Sequence, residues 1–397
     1  GVYYTPQYIV NYIVENTVGK LLEDKTPVEV SKIKIVDPAC GSGSFLIGAF
    51  QYLLDWHKDY YSKTMKPSRG GKDNPLTPEG NLTTSEKKRI LINNIFGVDI
   101  DINAVEVTKL SLLLKCLEGE THASISNQLS LFNERVLPTL DDNIKSGNSL
   151  IDLDFYDGEL DFGLEKKVKP FSWQKAFPHV FKQGGFDAVI GNPPYGYMIP
   201  KEQQNYFAST YIHQDYQKDL YLLFLERYEK LIIRNGLLGV IVSNTWLQSI
   251  NLKNIRKYLL NNYRWEKILL LPEKVFSAIV DTHVLILSKS KILHDTMIQV
   301  QTLSKKEIKD LHTLTQGTLN KDGSPINVIA NPIKRSIFEK ILLSSVNLSN
   351  IAEVFNGVKP YEKGKGSPPQ SEEILKTKPF TYDGAKPDGE EWKPLLR

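Results

Sequence analysis

Short apolar runs alternate with amphipathic stretches through the first three quarters of the chain. Residues 6–23 (PQYIVNYIVENTVGKLLE) place apolar side chains at helical spacing, with Thr5-Pro6 as cap and first-turn residue. KIKIVDPA (32–39) predicts a strand, GSGSF a turn, and FLIGAFQYLLDWHKDYY a helix. Residues 63–82 are polar and hold several Gly and Pro, which predicts a surface loop inserted into the domain. Thr83 and Glu86 stand at capping-box spacing before the helix SEKKRILINN. IFGVDID (95–101) predicts a second strand, and INAVEVTKLSLLLKCLEG a helix closed by Gly119. FDAVIGN follows as a strand, and KDLYLLFLERYEKLIIRNG as a helix ending at Gly236. LLGVIVSNTW, WEKILLLPE and THVLILSKS predict three more strands. After about residue 295 the pattern weakens: NPIKRSIFEKILLSS predicts a helix, NLSNIAEVFNGV a short strand, and 359–397 a loop.

Strands that are nearly continuous Val, Ile and Leu runs, alternating with helices, suit a parallel sheet covered on both faces. The expectation is an α/β fold: a Rossmann-like, doubly wound, mostly parallel sheet over residues 1–300, then a smaller C-terminal domain over 325–397. Composition changes this picture little. Hydrophobic residues at 41% and charged residues at 24% are ordinary for a globular chain. A net charge of +3 permits a nucleic-acid partner without requiring one. Two cysteines, Cys40 and Cys116, make no CxxC pair, so a disulfide framework is excluded and a reducing compartment fits. Both read as packing residues, and seven scattered histidines make no zinc spacing. No apolar run reaches the roughly 20 residues of a membrane helix, and no signal-peptide pattern is present. The start at Gly1 without Met and the polar, Gly- and Pro-rich end predict a piece of a longer protein.

Ligands of open α/β sheets bind at the carboxyl ends of strands. The first predicted strand ends in Val36-Asp37-Pro38-Ala39-Cys40-Gly41-Ser42-Gly43-Ser44-Phe45. Gly41 and Gly43 permit a tight turn and close approach of a ligand to backbone. No Lys follows, as a P-loop needs, and position 46 is Leu where a dinucleotide fingerprint needs a third glycine. The second strand ends in Asp99, an acid placed to accept from both hydroxyls of a ribose. Asp99 lies 56 residues after Gly43, further than the usual ~20, and the insertion at 63–82 accounts for the excess. These features suggest a nucleoside cofactor lacking a pyrophosphate, and S-adenosylmethionine fits. Taken alone, Gly41-Ser42-Gly43 reads equally as a plain strand-to-helix turn, with Asp99 as a helix cap.

The strand FDAVI runs into Gly191-Asn192-Pro193-Pro194-Tyr195. Two prolines cannot continue a ladder, so the strand stops on an amide and an aromatic ring held by stiff backbone. An exocyclic amine on a base is a poor nucleophile. The Asn192 side-chain oxygen and the Pro193 carbonyl could hold its two hydrogens and aim its lone pair at a methyl group. Tyr195 supplies a flat face for the base, which must be flipped out of a duplex to reach it. The alternative is a Pro-Pro turn that merely ends a strand.

With both motifs in this order, the chain resembles the N6-adenine DNA methyltransferases of the gamma order, over roughly residues 1–290. It is most similar to the methyltransferase part of type IIG restriction–modification enzymes and related phage-defence methylases. The resemblance implies a class I S-adenosylmethionine-dependent methyltransferase fold and a partial target-recognition domain over 325–397. Its implied cofactor-binding positions are Thr5, Asp37, Ala39, Cys40, Gly41, Gly43, Phe45, Asp99, Ile100 and Asn148. Many members have Asp where this chain has Asn148, whose oxygen can still serve the cofactor adenine. The implied catalytic residues are Asn192, Pro193, Pro194 and Tyr195, with Tyr195 and Phe276 stacking on the target base. Asp219-Leu220-Tyr221 and Phe224 resemble a further motif near the cofactor. No metal is implied. The implied partner is double-stranded DNA, in the cytoplasm of a bacterium and at its nucleoid. A nuclease domain or subunit, as restriction members have, would lie outside this chain, which has no PD-(D/E)xK pattern. Competing readings are methylation of RNA adenine or protein glutamine, and a non-catalytic DNA-binding subunit.

Overall fold

The computed structural model describes residues 5–64, 74–119, 138–156, 165–196, 199–213, 219–272, 281–304, 307–319, 322–346, 348–352 and 370–377. Nine strands form one sheet: β1 Ile35–Asp37, β2 Ile95–Asp99, β3 Ile144–Ser146, β4 Phe186–Gly191, β5 Ile232–Ser243, β6 Arg264–Leu271, β7 Thr282–Ser288, β8 Met297–Ser304 and β9 Glu307–Thr315. Their order is β3-β2-β1-β4-β5-β7-β6-β8-β9. The first five strands are parallel, β7 runs antiparallel between β5 and β6, and β9 is antiparallel to β8. This is the mostly parallel α/β sheet that the alternating pattern predicts. The switch in strand direction of travel lies at β1, with β2 on one side and β4 on the other.

The long helices are α1 Gln7–Val14, α2 Ser44–Thr64, α3 Thr84–Asn94, α4 Ile102–Leu117, α5 Lys201–Thr210, α6 Leu220–Leu231, α7 Lys253–Asn262 and α8 Pro332–Ser344. α1 continues as a π-helical stretch over Glu15–Gly19, so the predicted first helix is one element with a change of pitch. Pro6 takes the N-cap position there, one residue before the first helical turn. Thr83 accepts the Glu86 N–H at 3.3 Å, but the Glu86 carboxylate turns to Arg89 and Tyr61 and leaves the box half-made. α4 is capped by Asp101, which accepts the Asn103 N–H at 2.9 Å.

Two apolar layers cover the sheet. On one face, Val10, Ile13, Leu46, Phe50, Leu91 and Leu112 pack against Ile35, Ile190, Ile241 and Ile286. On the other, Phe177, Phe207, Tyr221, Leu225 and Trp246 pack against Val36, Phe96, Val189 and Leu285. This is why the central strands are apolar at consecutive positions. Cys40 and Cys116 are both buried and unbridged.

Three boundaries differ from the sequence reading. The helix expected to reach Gly236 stops at Leu231, because β-branched Ile232 already pairs with Phe186 as the start of β5. The ladder then shifts register before Leu237 pairs with Ala188, and the extra residues include Asn235 at φ 66°. Past residue 295, where the periodicity weakens, β8 and β9 extend the sheet; β9 is mostly exposed, which erases the apolar signal. Of the strand expected over 347–358, the described residues form a 3-10 turn at Leu348–Asn350.

The chain divides into two compact units, Gly1–Arg335 and Ser336–Arg397. The described part of the second holds most of α8, the 3-10 turn and a helix over Glu372–Thr377. Among the described residues, no helix is long and apolar enough to cross a membrane.

Gly97 marks a tight layer contact beneath the carboxyl ends of β1 and β2. A Cβ there would stand 2.7 Å from Leu46 Cδ1 and 3.2 Å from Cys40 Sγ. Gly97→Ala is therefore expected to destabilise the chain by about 1–3 kcal/mol through overpacking, read as a lower urea midpoint at unchanged slope.

Candidate active site

The carboxyl ends of β1, β2, β3 and β4 open into one cleft of about 980 Å³. The residues that the sequence singled out converge on it from distant parts of the chain. Thr5, Asp37, Ala39, Cys40, Gly41, Phe45, Asp99, Ile100, Asn148, Asn192, Pro193, Pro194 and Tyr195 all line its wall. Gly43 does not: it turns the chain at φ 86°, and a Cβ there would meet Thr108 Cγ2 at 2.8 Å. Its work is in the turn and in packing on α4. Phe276 lies outside the described residues.

The loop between β1 and α2 is held by β2. Asp99 Oδ2 accepts the Gly41 N–H at 2.7 Å, and Asp99 Oδ1 accepts the Asp101 N–H at 2.9 Å. Thr108 on α4 donates to the Gly41 carbonyl at 2.7 Å. Each Asp99 oxygen keeps acceptor capacity, so the carboxylate can also take the two hydroxyls of a ribose. Ile100 beside it is 48% exposed, a free apolar surface on which a base can lie.

Asp37 is 2% exposed and, among the described residues, forms no ion pair. Its Oδ1 accepts the Ala39 N–H at 3.0 Å. Gly191 ends β4 at φ 156°, and a Cβ there would come within 2.7 Å of Asp37 Oδ1. Burial pushes the Asp37 carboxyl up to about 8; the Ala39 N–H opposes this and the Asp99 charge adds to it. A buried carboxyl waiting for a cation suits the ammonium end of an amino acid. The donor and acceptor set therefore fits S-adenosylmethionine: Asp37 for the amino-acid end, Asp99 for the ribose, and Ile100, Leu150 and Phe224 for the adenine.

Asn192 stands at the exit of β4, with its Nδ2 3.5 Å from the hydroxyl of buried Thr5. Its Oδ1 is buried and has no hydrogen-bond partner among the described residues. Such an acceptor is costly unless a ligand donates to it. Thr5 sets the amide the right way round, nitrogen towards itself and oxygen free. Tyr195 is pinned at both ends of its ring: its hydroxyl donates to the Ile241 carbonyl at 3.1 Å, and Tyr221 stands at 5.5 Å between centroids. Burial holds the Tyr195 phenol well above its usual pKa, so it is neutral. The turn leaves through Gly196, whose N–H donates to Asp219 at 2.8 Å and whose carbonyl accepts the Leu220 N–H at 3.0 Å. Asp219 and Leu220 also line the cleft.

Several wall residues carry no sequence signal. Ile199, Pro200, Gln203 and Phe207 come from α5 and its approach, and Lys167 from a four-residue helix after β3. The KEQQN start of α5 reads as plain surface polarity. Lys169, at φ 50°, lies beside the wall and fastens two of its residues. Its carbonyl accepts the Asn148 N–H at 2.7 Å and its Nζ donates to the Ile100 carbonyl at 2.9 Å.

Residues 93–276 match the model of the Eco57I restriction-modification methylase family. The chain is 32% identical over 373 residues to the type II restriction enzyme and methyltransferase RM.Eco57I of Escherichia coli, covering 89% of this chain and 35% of that protein. It is 24% identical over 256 residues to the adenine-specific methyltransferase PglX of Streptomyces coelicolor, covering 62% of this chain and 19% of the relative. The chain thus spans about a third or less of these relatives' length. Among solved structures, it shares its fold with the type ISP restriction-modification enzymes LlaGI, in a nuclease-deletion mutant with a DNA substrate mimic, and LlaBIII, bound to DNA. The TM-scores are 0.51 and 0.52 at 15% and 14% identity, over 84% of this chain and 25% and 23% of theirs. Through the segment that carries β2, β4 and the Asn-Pro-Pro-Tyr turn, the chain matches the Eco57I restriction-modification methylase family, and along most of its length it is similar to about a third of RM.Eco57I.

Proposed function

We propose that the chain transfers a methyl group from S-adenosylmethionine to N6 of an adenine flipped out of double-stranded DNA at a specific sequence, in restriction–modification or phage defence. The observation that carries this reading is the buried Asn192 Oδ1, partnerless among the described residues and held on the same cleft wall as the Asp37 and Asp99 carboxylates. Bound there, the cofactor supplies an electrophilic methyl group. The residues of the chain do the positioning. Asn192 Oδ1 and the Pro193 carbonyl accept the two hydrogens of the target amine, which turns the nitrogen lone pair towards the methyl carbon. Tyr195 offers a fixed ring for the base to stack on, and the base must leave the duplex to reach it. Both acceptors are neutral, and the Tyr195 phenol keeps its proton. The amine would therefore attack without prior deprotonation, the methyl–sulfur bond breaking to leave a neutral thioether as the methyl–nitrogen bond forms, and the methylated nitrogen would then give its proton to solvent water. Catalysis rests on orientation and fixed dipoles.

Adenine-specific relatives favour adenine over protein glutamine as the acceptor, and the restriction-modification relatives favour DNA over RNA. A nuclease domain or subunit outside this chain is compatible with the dual name of the Escherichia coli relative.

Labelled methyl from S-adenosylmethionine is expected to appear as N6-methyladenine in unmethylated bacterial DNA. Asn192→Ala should lower the transfer rate by about 10²–10³-fold while leaving cofactor affinity near that of the parent. Label in protein or RNA instead would overturn the substrate class. Cofactor binding without transfer to any acceptor would favour a DNA-binding subunit.

Asp37 gives a pH test. Its folded pKa is raised above the ordinary 3.8, so its contribution to stability is full below about pH 4 and is lost as pH rises towards 8. An ammonium group favours the ionised form, so binding expels the proton. Cofactor affinity, read by titration calorimetry, should rise by up to about tenfold per pH unit between pH 6 and 8 with proton release to buffer. Asp37→Asn should bind weakly, release no proton, and lose less stability than the parent over the same interval.

A further inference from the structure

The exits of β2 and β3 are joined by a residue that reads, in sequence, as plain surface. Lys169 forms an arch between two buried side chains, Val168 and Phe171. Its backbone is left-handed at φ 50°, a conformation that is costly for a lysine and persists only where the surroundings fix it. Its carbonyl accepts the Asn148 N–H at 2.7 Å, and its Nζ donates to the Ile100 carbonyl at 2.9 Å. The strap then follows the loop after β3. Pro170 bridges in parallel to Asn148, and the Phe171 N–H donates to the Ile151 carbonyl at 2.7 Å. Phe171 fills the place beside Gly147, where a Cβ would clash with its ring.

We infer that Lys169 is a positioning residue for the cofactor's adenine: it holds the Ile100 and Asn148 peptides at one fixed separation, as two walls of the slot that takes the base. This rests on the cofactor reading above. Lys169 acts through its neighbours. Ile100 and Asn148 both line the cleft, and one residue grips the first with its side chain and the second with its backbone. The Lys169 ammonium forms no ion pair among the described residues and is spent on a neutral carbonyl. A half-buried lysine that only solubilised the surface would leave its ammonium in water.

Strand order separates this end of the cleft from the Asn-Pro-Pro-Tyr turn. In the order β3-β2-β1-β4, the exits of β2 and β3 lie on the far side of β1 from β4, which delivers Asn192. Neighbouring strands are about 4.8 Å apart, so the β2 exit stands about 10 Å from that of β4, and the β3 exit about 14 Å. The two exits that Lys169 joins are already in register. Asp99 pairs with Ser146, and the Asp99 carbonyl accepts the Gly147 N–H at 2.9 Å. Ile100 therefore follows directly on the acid that fits the ribose, and the base is the group the ribose carries next. Ile100 offers the flat apolar contact, and the tilt of that contact is set by the peptide that Lys169 holds.

The test is equilibrium binding of S-adenosylhomocysteine and of 5′-methylthioadenosine, which keeps the base and ribose and lacks the amino-acid end. The parent chain, Lys169→Met and Lys169→Arg are compared. Met keeps the unbranched stem and removes only the charged donor. Lys169→Met should weaken both ligands by the same factor, about fivefold, and Lys169→Arg, which restores a donor, should bring both back to within about twofold of the parent. With saturating S-adenosylmethionine and DNA, kcat of Lys169→Met should stay within about twofold of the parent while KM for the cofactor rises. Weakening of S-adenosylhomocysteine alone would put the effect at the amino-acid end and overturn the inference. A higher KM for DNA at unchanged cofactor affinity would make Lys169 a phosphate contact and overturn it equally. A lower urea midpoint at unchanged affinity, or weakening that Lys169→Arg does not reverse, would reduce Lys169 to a structural strap and overturn it too. Failure of the parent to bind either ligand would overturn the cofactor reading, and this inference with it; binding by the parent with Lys169→Met unchanged would overturn this inference alone.

Discussion

The cleft depends on one exchange between neighbouring strands: the Asp99 carboxylate at the end of β2 takes the Gly41 N–H from the turn after β1. Without it the Gly41 amide would lose its partner, and the turn would rest on the Cys40 N–H bond to the Val98 carbonyl at 3.0 Å, the Ser149 bond to the Pro38 carbonyl and the Thr108 bond to the Gly41 carbonyl. The bond spends part of the carboxylate on the protein and leaves the rest facing outward. It also sets β1 and β2 at one height, so that Asp37 and Asp99 stand on the same rim. The parallel registers Ile35↔Ile95 and Asp37↔Gly97 deliver both acids there together.

Around that rim the polar groups are left deliberately incomplete in a consistent pattern. Among the described residues, Asp37 forms no ion pair, Asn192 Oδ1 has no donor, and Gln203 has no side-chain partner. Elsewhere two buried amide nitrogens are held by backbone carbonyls. Asn94 Nδ2 donates to the Val30 and Ile33 carbonyls, and Asn143 Nδ2 to those of Ile92 and Ile95. A buried polar atom without a partner costs about 1–3 kcal/mol, so a ligand that donates to Asn192 Oδ1 would recover that cost.

The Asn-Pro-Pro-Tyr turn gains its rigidity from both ends. At its entrance, Gly191 lets β4 pass against Asp37, and Thr5 orients the Asn192 amide. At its exit, Asp219 and Leu220 grip Gly196 on both sides. Between them, two prolines remove backbone freedom and Tyr195 is anchored to the Ile241 carbonyl. The chain then runs on into α5, which is tied to the loop after Asn148. One continuous segment therefore links the Asn-Pro-Pro-Tyr turn to the loop after Asn148.

The residues themselves determined the sheet class and the chemistry of the two central turns. Continuous Val/Ile/Leu runs between amphipathic helices specify a covered parallel sheet, because each strand must bury both faces. Asp-Pro-Ala-Cys-Gly-Ser-Gly and Asn-Pro-Pro-Tyr are legible because glycine and proline dictate backbone shape locally. The tertiary structure alone decided how these pieces meet. Residues 5, 37, 99, 148 and 192 are far apart in sequence, and only strand order and register bring them to one cleft. Ile232 left its helix for β5 because a strand partner was waiting at Phe186, a long-range contact that no local pattern encodes. β9 escaped notice because an exposed edge strand carries no apolar alternation. Gln203 did so for the same physical reason in reverse: a polar side chain at the head of a helix looks like surface until the fold turns it towards a cleft.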